Sequence, residues 1–292
     1  MSQIDILLPH DAYALRDSGN GMKLERFGQY TVARPDPTAL WEPTLAHTIW
    51  ENVDATFFKN KLTKGEHWKN TNVAEDLWVV PYENIRMHLH LSPFKHTGLF
   101  PEQILNWQWF GPLISSAIKP PRVLNLFGYT GGATLYAATC GAQVTHVDAS
   151  KPSITWAREN QTLSNLQDAP IRWIIDDAYK FVTREARRGA QYDAIIMDPP
   201  SFGRDPKGKI FTFEKDVPKL LEAIHGILAP DPLFFLINSY AMGYSPTVIK
   251  NLLAHVLPLE KITCGELQIR EEYTQRALPC SVYARYQNSI IS

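Results

Sequence analysis

The sequence predicts an α/β fold: a mostly parallel sheet with helices on both faces, preceded by a smaller β-rich unit. Three observations carry this expectation. From Arg122 onward, strand-like apolar runs alternate with helix-like segments through short turns, the pattern of repeated β-α units. The strand interiors are mostly apolar, as strands covered on both faces require. The last two strands are separated only by a loop over residues 271–278, so they should pair as a hairpin and bring one antiparallel strand into the sheet.

The first part of the chain is less regular and holds most of the tryptophans and histidines. Ser18-Gly19-Asn20-Gly21 is turn chemistry, because glycine and asparagine tolerate positive φ. Its flanks suit strands, so residues 13–34 read as a small hairpin unit. Further strands are expected at 77–80 and 85–91, and helices at 44–59 and 103–116. Lys119-Pro120-Pro121 marks the break.

The second part opens with a strand at 123–127. The helix at 133–140 stops at Gly141, a favoured helix C-terminal residue. A strand at 143–147 ends in Asp148. Ser150 can cap a helix over 152–165 that carries proline in its first turn. A strand at 171–175 ends in Asp176-Asp177, and its helix runs to Arg188 before Gly189. The strand 194–197 ends in Asp198. A helix over 216–228, a strand at 233–238, a helix from Ser245-Pro246, and strands at 261–269 and 280–286 complete the pattern.

The bulk properties exclude several classes. Of 292 residues, 45% are hydrophobic and 20% charged, with net charge −1, which is ordinary for a globular protein and gives no basic signature of a nucleic-acid binder. No apolar run reaches membrane-spanning length, and the N-terminal stretch lacks the basic start and apolar core of a signal peptide. Three cysteines, Cys140, Cys264 and Cys280, have neither disulfide nor metal spacing, and the reading is a reducing cytoplasm. The clusters Lys59-Asn60-Lys61 with Lys64 and Lys69, and Arg184 with Arg187-Arg188, read as solvated faces.

Four strand ends should share one sheet edge, where doubly wound folds bind ligands. They carry Phe127-Gly128-Tyr129-Thr130-Gly131-Gly132, Asp148, Asp176-Asp177 and Asp198. The glycines let backbone amides approach a ligand and feed a helix N-terminus that favours a negative group. Asp148 lies 20 residues past Gly128, the distance at which a second-strand acid reaches a ribose hydroxyl. A nicotinamide site is the weakest alternative, because the glycines fall as G-x-x-G-G rather than G-x-G-x-x-G.

The stretches NLFGYTGGATLYAATCGAQVTHVDAS, DDAYKFV and IIMDPPSF resemble class I S-adenosylmethionine-dependent methyltransferases. More closely, they resemble the bacterial 23S ribosomal RNA methyltransferases of the RlmI and RlmK kind. The resemblance implies a Rossmann-like seven-stranded methyltransferase sheet over 95–292, with residues 1–94 as an accessory or substrate unit. It implies S-adenosyl-L-methionine as cofactor. Phe127, Gly128, Tyr129, Thr130 and Gly131 would surround its methionine moiety, with Thr97, Gly98 and Gln103 at the amino-acid end. Asp148, followed by Ala149 and Ser150, would bind the ribose. Asp177, with Asp176 as substitute, would face the adenine. Asp198 would hold the methionine ammonium or the target's amine. Pro199 and Pro200 would form a rigid rim, and Phe202 would stack on a planar target.

The sequence departs from the RlmI pattern at the end of the fifth strand. Where that branch carries a nucleophilic cysteine, this chain reads Asn238-Ser239-Tyr240-Ala241. N-methylation of a base in 23S rRNA, or in its precursor particle, is therefore expected over cytosine C5 chemistry. The alternatives are a methyltransferase for a protein side chain or small molecule, and a cofactor-binding module without transfer.

Overall fold

The computed structural model describes residues 2–59, 66–70, 72–74, 78–204, 210–240 and 243–288. The chain forms two compact units. One comprises Ile6–Ile104 and Gln268–Pro279; the other comprises Met1–Asp5, Leu105–Leu267 and Cys280–Ser292. The chain begins with β1 (Gln3–Leu7), which joins the large sheet described below.

In the unit built mainly from Ile6–Ile104, β2 (Tyr13–Gly19), β3 (Met22–Phe27) and β4 (Tyr30–Pro35) form an antiparallel meander. Asn20 (φ 52°) and Gly21 (φ 75°) make its first turn, the left-handed pair that a two-residue hairpin needs. The helix expected over 44–59 does not form as such. Helix α1 covers only His47–Glu51, and Ala55–Lys59 is strand β5. The run Ala-Thr-Phe-Phe favours extended backbone. It pairs with β4 in parallel and with β6 (Glu66–Asn70) antiparallel, so sheet pairing overrides the helical reading. Strands β7 (Val79–Tyr82) and β8 (Ile85–His88) form a separate hairpin. Leu77, Lys61 and Lys64 lie outside the described residues.

Two carboxylates organise this unit. Glu25 is fully buried and forked by Arg34, with a further hydrogen bond of 2.8 Å from the Tyr13 hydroxyl. Burial opposes its charge, but Arg34 and Lys23 outweigh burial and hold its carboxyl at about 2. Asp17, also buried, accepts from the backbone N–H groups of Ser18, Thr44 and Leu45, from the Trp50 indole and from Arg276. Each buried acid is thus paired, as burial of a charge demands.

The other unit contains α2 (Ile104–Ser115), β9 (Arg122–Leu126), α3 (Gly132–Thr139), β10 (Gln143–Asp148), α4 (Lys151–Leu163) and β11 (Ile171–Ile175). There follow α5 (Ala178–Arg187), β12 (Ala194–Met197), β13 (Phe202–Arg204), β14 (Ile210–Thr212), α6 (Phe213–His225) and β15 (Phe234–Ser239). The chain closes with α7 (Pro246–Leu253), β16 (Ile262–Arg270) and β17 (Ala277–Gln287). Helix α6 begins three residues before the expected Asp216, whose carboxylate accepts from the Thr212 N–H at 2.8 Å and secures the first turn.

The sheet order is β1-β16-β17-β15-β12-β9-β10-β11. The strands β15, β12, β9, β10 and β11 run parallel, and β17 is antiparallel to β15. The sheet has eight strands rather than seven, because β1 adds an edge that no β-α pattern announces. Gly265 makes room for it, since a Cβ there would lie 2.5 Å from the Gln3 carbonyl oxygen. Arg285 of β17, 5% exposed, ties β1 and α2 to the sheet: it donates to Asp5 at 2.7 Å and to Asn106 at 2.7 and 3.0 Å.

Both faces of the sheet are covered. Leu124, Leu126, Ile195, Met197, Phe235 and Ile237 pack with Phe181 and Val182 of α5 and Val217, Leu220, Leu221 and Ile224 of α6. Phe110 of α2 stacks on Phe234, centroids 5.6 Å apart, and meets Tyr136 of α3 edge-on. Each such large side chain contributes about 1.5–3 kcal/mol on burial. Among the described residues, no helix is long and apolar enough to cross a membrane.

Candidate active site at the carboxyl edge of the sheet

Strand order reverses at β9. The chain runs outward through β10 and β11, then returns to β12 on the other side. Leu126 is in register with both Val147 and Met197, and Asp148 with Ile175. The glycine turn, Asp148, Asp176-Asp177 and Asp198 therefore leave one edge, at the crevice where such folds bind ligands.

The turn after β9 is conformationally demanding. Phe127 (φ 60°) and Tyr129 (φ 50°) are left-handed without being glycine, at a cost of about 1–2 kcal/mol each. Surrounding contacts hold them there. The Phe127 ring meets Phe211 at 5.5 Å, and Tyr129 donates its N–H to Asp148 Oδ2 at 2.9 Å while its ring meets Trp156. Gly131 (φ 88°) is the N-cap of α3 and offers no capping side chain. The first amides of α3 thus receive no side-chain cap, which suits a carboxylate or other anionic group.

Beneath the turn lies a polar cluster that the sequence did not reveal. His146 on β10 is fully buried, and its Nδ1 pairs with Thr134 Oγ1 at 2.8 Å. Thr134 in turn accepts from the Asn125 amide at 2.9 Å. Burial pushes the His146 imidazole down to about 3. A Cβ on Gly128 would sit 2.3 Å from His146 Cε1, so this glycine is fixed by what lies below it. Asn160 of α4 donates to the Thr130 carbonyl at 2.9 Å. A histidine and an asparagine inside apolar periodicity were the only signals available.

Asp148 is half-buried, with Oδ1 receiving the Ser150 N–H at 2.8 Å and Oδ2 the Tyr129 N–H. Burial raises its carboxyl, opposed by these two amides. Ala149 is exposed, and Ser150 is committed as N-cap of α4, accepting from Ser153. Asp177 caps α5, its Oδ1 accepting from Lys180 N–H at 2.9 Å. Asp176 accepts from the Asp177 N–H and is ion-paired to Arg184.

Past β12, Asp198 Oδ1 accepts from the Asn238 amide at 3.1 Å. Pro199 is buried and Pro200 exposed, and Phe202 is 60% exposed at the start of the β13–β14 hairpin. Thr97, Gly98 (φ 102°) and Gln103 belong to the other unit, where Thr97 is fully buried and Gln103 ends a 3-10 turn.

Residues 60–256 match the family described as S-adenosylmethionine-dependent methyltransferase, more than half of the chain. This chain belongs to that family. A solved S-adenosylmethionine-dependent methyltransferase from Agrobacterium tumefaciens is 39% identical, with TM-score 0.91 over 98% of this chain and 94% of that one. The putative methyltransferase SMU.776, solved with S-adenosylhomocysteine, shares the fold at 20% identity and TM-score 0.70, over 95% of this chain and 76% of that one. Ribosomal RNA large subunit methyltransferase K of Neisseria meningitidis is 26% identical over 80% of this chain and 67% of its own length. Methyltransferase K/L of Shewanella loihica is 32% identical over 67% of this chain. The chain spans only 29% of that K/L protein and 20% of its Shewanella sp. ANA-3 counterpart.

The methyltransferase site fits its cofactor, S-adenosylmethionine. Gly128 and Gly131 let the turn pack down on His146 and Ala157, the α3 terminus without a side-chain cap offers amides, and Asp148 offers an acceptor beside them. When bound, the cofactor supplies an electrophilic methyl group on a sulfonium.

Proposed function

We propose that this methyltransferase acts on a nitrogen of a base in large-subunit ribosomal RNA, in the cytoplasm. The carrying observation is the rim after β12. Asp198, held by Asn238, stands beside two rigid prolines and an exposed Phe202. Methyl transfer is an in-line displacement that gains from orientation and close approach more than from acid–base chemistry. Proline fixes φ and removes an amide donor. An aromatic face stacks a base for roughly 1–3 kcal/mol. The names of the Neisseria and Shewanella relatives support an RNA acceptor. Asn238 and Ser239 end β15 without a thiol, which favours nitrogen over carbon as acceptor. Three free cysteines support a reducing compartment.

Within this reading the turn 127–131 takes the methionine moiety. Asp148, with Ala149 and Ser150, takes the ribose. Asp177 takes the adenine edge, with Asp176, ion-paired to Arg184, as substitute. Asp198 takes an ammonium or amine. Residues 1–94 serve as the accessory unit for substrate. The test is transfer of a radiolabelled methyl group to total RNA and protein from cells lacking the protein, with Asp198→Ala as control. Label in 23S-sized, ribonuclease-sensitive material, lost in the variant and recovered as an N-methylated nucleoside, is the expected result. Label confined to protein or small molecules overturns the RNA reading, and label at cytosine C5 overturns the nitrogen.

A further inference from the structure

Asp198 does not stand alone at the rim. Behind it, Asn238 on β15 is 1% exposed and Ser281 on β17 is 6% exposed. The Asn238 amide donates to Asp198 Oδ1 at 3.1 Å, and the Ser281 hydroxyl donates to Asn238 Oδ1 at 3.0 Å. The orientation of this amide follows from chemistry. An ionised carboxylate only accepts, so the NH2 end of Asn238 must face Asp198. Its carbonyl then faces Ser281, which must donate. Register explains the alignment: Met197 pairs with Ile237, so Asp198 emerges beside Asn238, while Ser239 pairs with Val282 and brings Ser281 to the same edge.

We infer that Ser281 and Asn238 are positioning residues, a hydrogen-bonded relay that fixes Asp198 as an acceptor for the amine it meets in the reaction. This rests on the reading of Asp198 given above. A carboxylate can accept roughly four hydrogen bonds, and the relay occupies one of them. It therefore limits rotation of Asp198. A relay of two neutral groups also keeps a second charge away from the site. Within β12–Pro200, β15 and β17 the charged side chains are Asp198 and Arg285, the latter paired with Asp5, and the other titratable groups are Cys280, Tyr283 and Tyr286.

The experiment compares Asn238→Ala, Asn238→Asp, Ser281→Ala and the Ser281→Ala/Asn238→Ala pair. Readouts are methyl transfer to RNA from cells lacking the protein, calorimetric binding of S-adenosylhomocysteine, and melting temperature. Loss of a charge-assisted hydrogen bond should lower kcat/KM or cofactor affinity on the order of ten- to a hundredfold in Asn238→Ala. Ser281→Ala should lose less, and the pair should lose no more than Asn238→Ala alone, because both act through one carboxylate. Asn238→Asp carries the sharpest readout. Two adjacent carboxylates share a proton as pH falls, and the protonated one can donate to its neighbour as the amide did. Its activity relative to the unaltered protein should therefore rise from pH 8 to pH 6, which general loss of stability would not produce. Asn238→Ala within about threefold of the parent, or a flat or falling acid ratio for Asn238→Asp, overturns the relay. Asp198→Ala separates the two ideas: if it alone is inactive the relay fails, and if it is fully active the reading of Asp198 fails.

Discussion

Substituting Gly128 by alanine tests whether the buried histidine shapes the cofactor turn. Gly128 is not in the left-handed region, so alanine meets no backbone penalty there and the effect is steric. The new methyl group would lie 2.3 Å from His146 Cε1, 2.5 Å from Nδ1 and 2.9 Å from Nε2. Carbon atoms rest about 3.5–4.0 Å apart, so the ring or the turn must retreat by more than about 1 Å. The ring is held by Thr134 at 2.8 Å and packed on Trp173 at 4.6 Å, so the turn is the part that yields. Overpacking of this kind costs about 1–3 kcal/mol, or roughly a five- to 150-fold loss of affinity if all of it is expressed at the turn. Calorimetric titration with S-adenosylhomocysteine measures it. Adding His146→Ala should restore part of the affinity, a coupling of at least about 1 kcal/mol in the double-mutant cycle. Binding by Gly128→Ala within twofold of the parent, or strictly additive losses, would refute the argument.

Asp148→Asn should weaken cofactor binding about ten- to a hundredfold, since one of the Tyr129 and Ser150 amides then faces an NH2 group, a loss of about 1–3 kcal/mol; calorimetry reads it directly. Glu25, held at about 2 against an ordinary 4.5, contributes stability that is present above pH 4.5 and lost as pH falls toward 2. Denaturant titrations should show a loss of about 3 kcal/mol across that window, flattened in Glu25→Gln. Asp5→Ala leaves the buried Arg285 without its carboxylate partner and should cost about 3–5 kcal/mol in unfolding free energy. Cys280→Ser should leave methyl transfer within about twofold, because nitrogen methylation forms no covalent bond to a thiol; abolished transfer would contradict the chemistry proposed.

The ligand edge of the sheet was legible because β9, β10, β11 and β12 end in distinctive residue sets and α3, α4 and α5 start or stop on recognisable ones. Ser150 capping α4 and Gly131 opening α3 are local events that sequence specifies. The strand Ala55–Lys59 was not legible, because its conformation comes from pairing with β4 and β6. Nor was β1, whose partner lies at the far end of the chain. At the site, the acids and glycines were visible since chemistry selects their types. The groups that hold them, His146, Asn160 and Ser281, were not. A buried polar residue becomes meaningful only when its partner is known, and Ser281 lies 43 residues from Asn238.

The edge strand β1 has a consequence for the order in which the molecule can be made. Gln3–Leu7 is synthesised well before its neighbour β16, which begins at Ile262, and Asp5 meets Arg285 across 280 residues. Until then QIDIL is a short apolar strand with open edges, the kind that pairs wrongly with other nascent chains. Its aspartate discourages such pairing before β16 and β17 are made and becomes a partner of Arg285 afterwards. Pairing of β1 with β16 is therefore a late step, reached only after β16 has been made. A peptide fused ahead of Gln3 would act on the pace of that step.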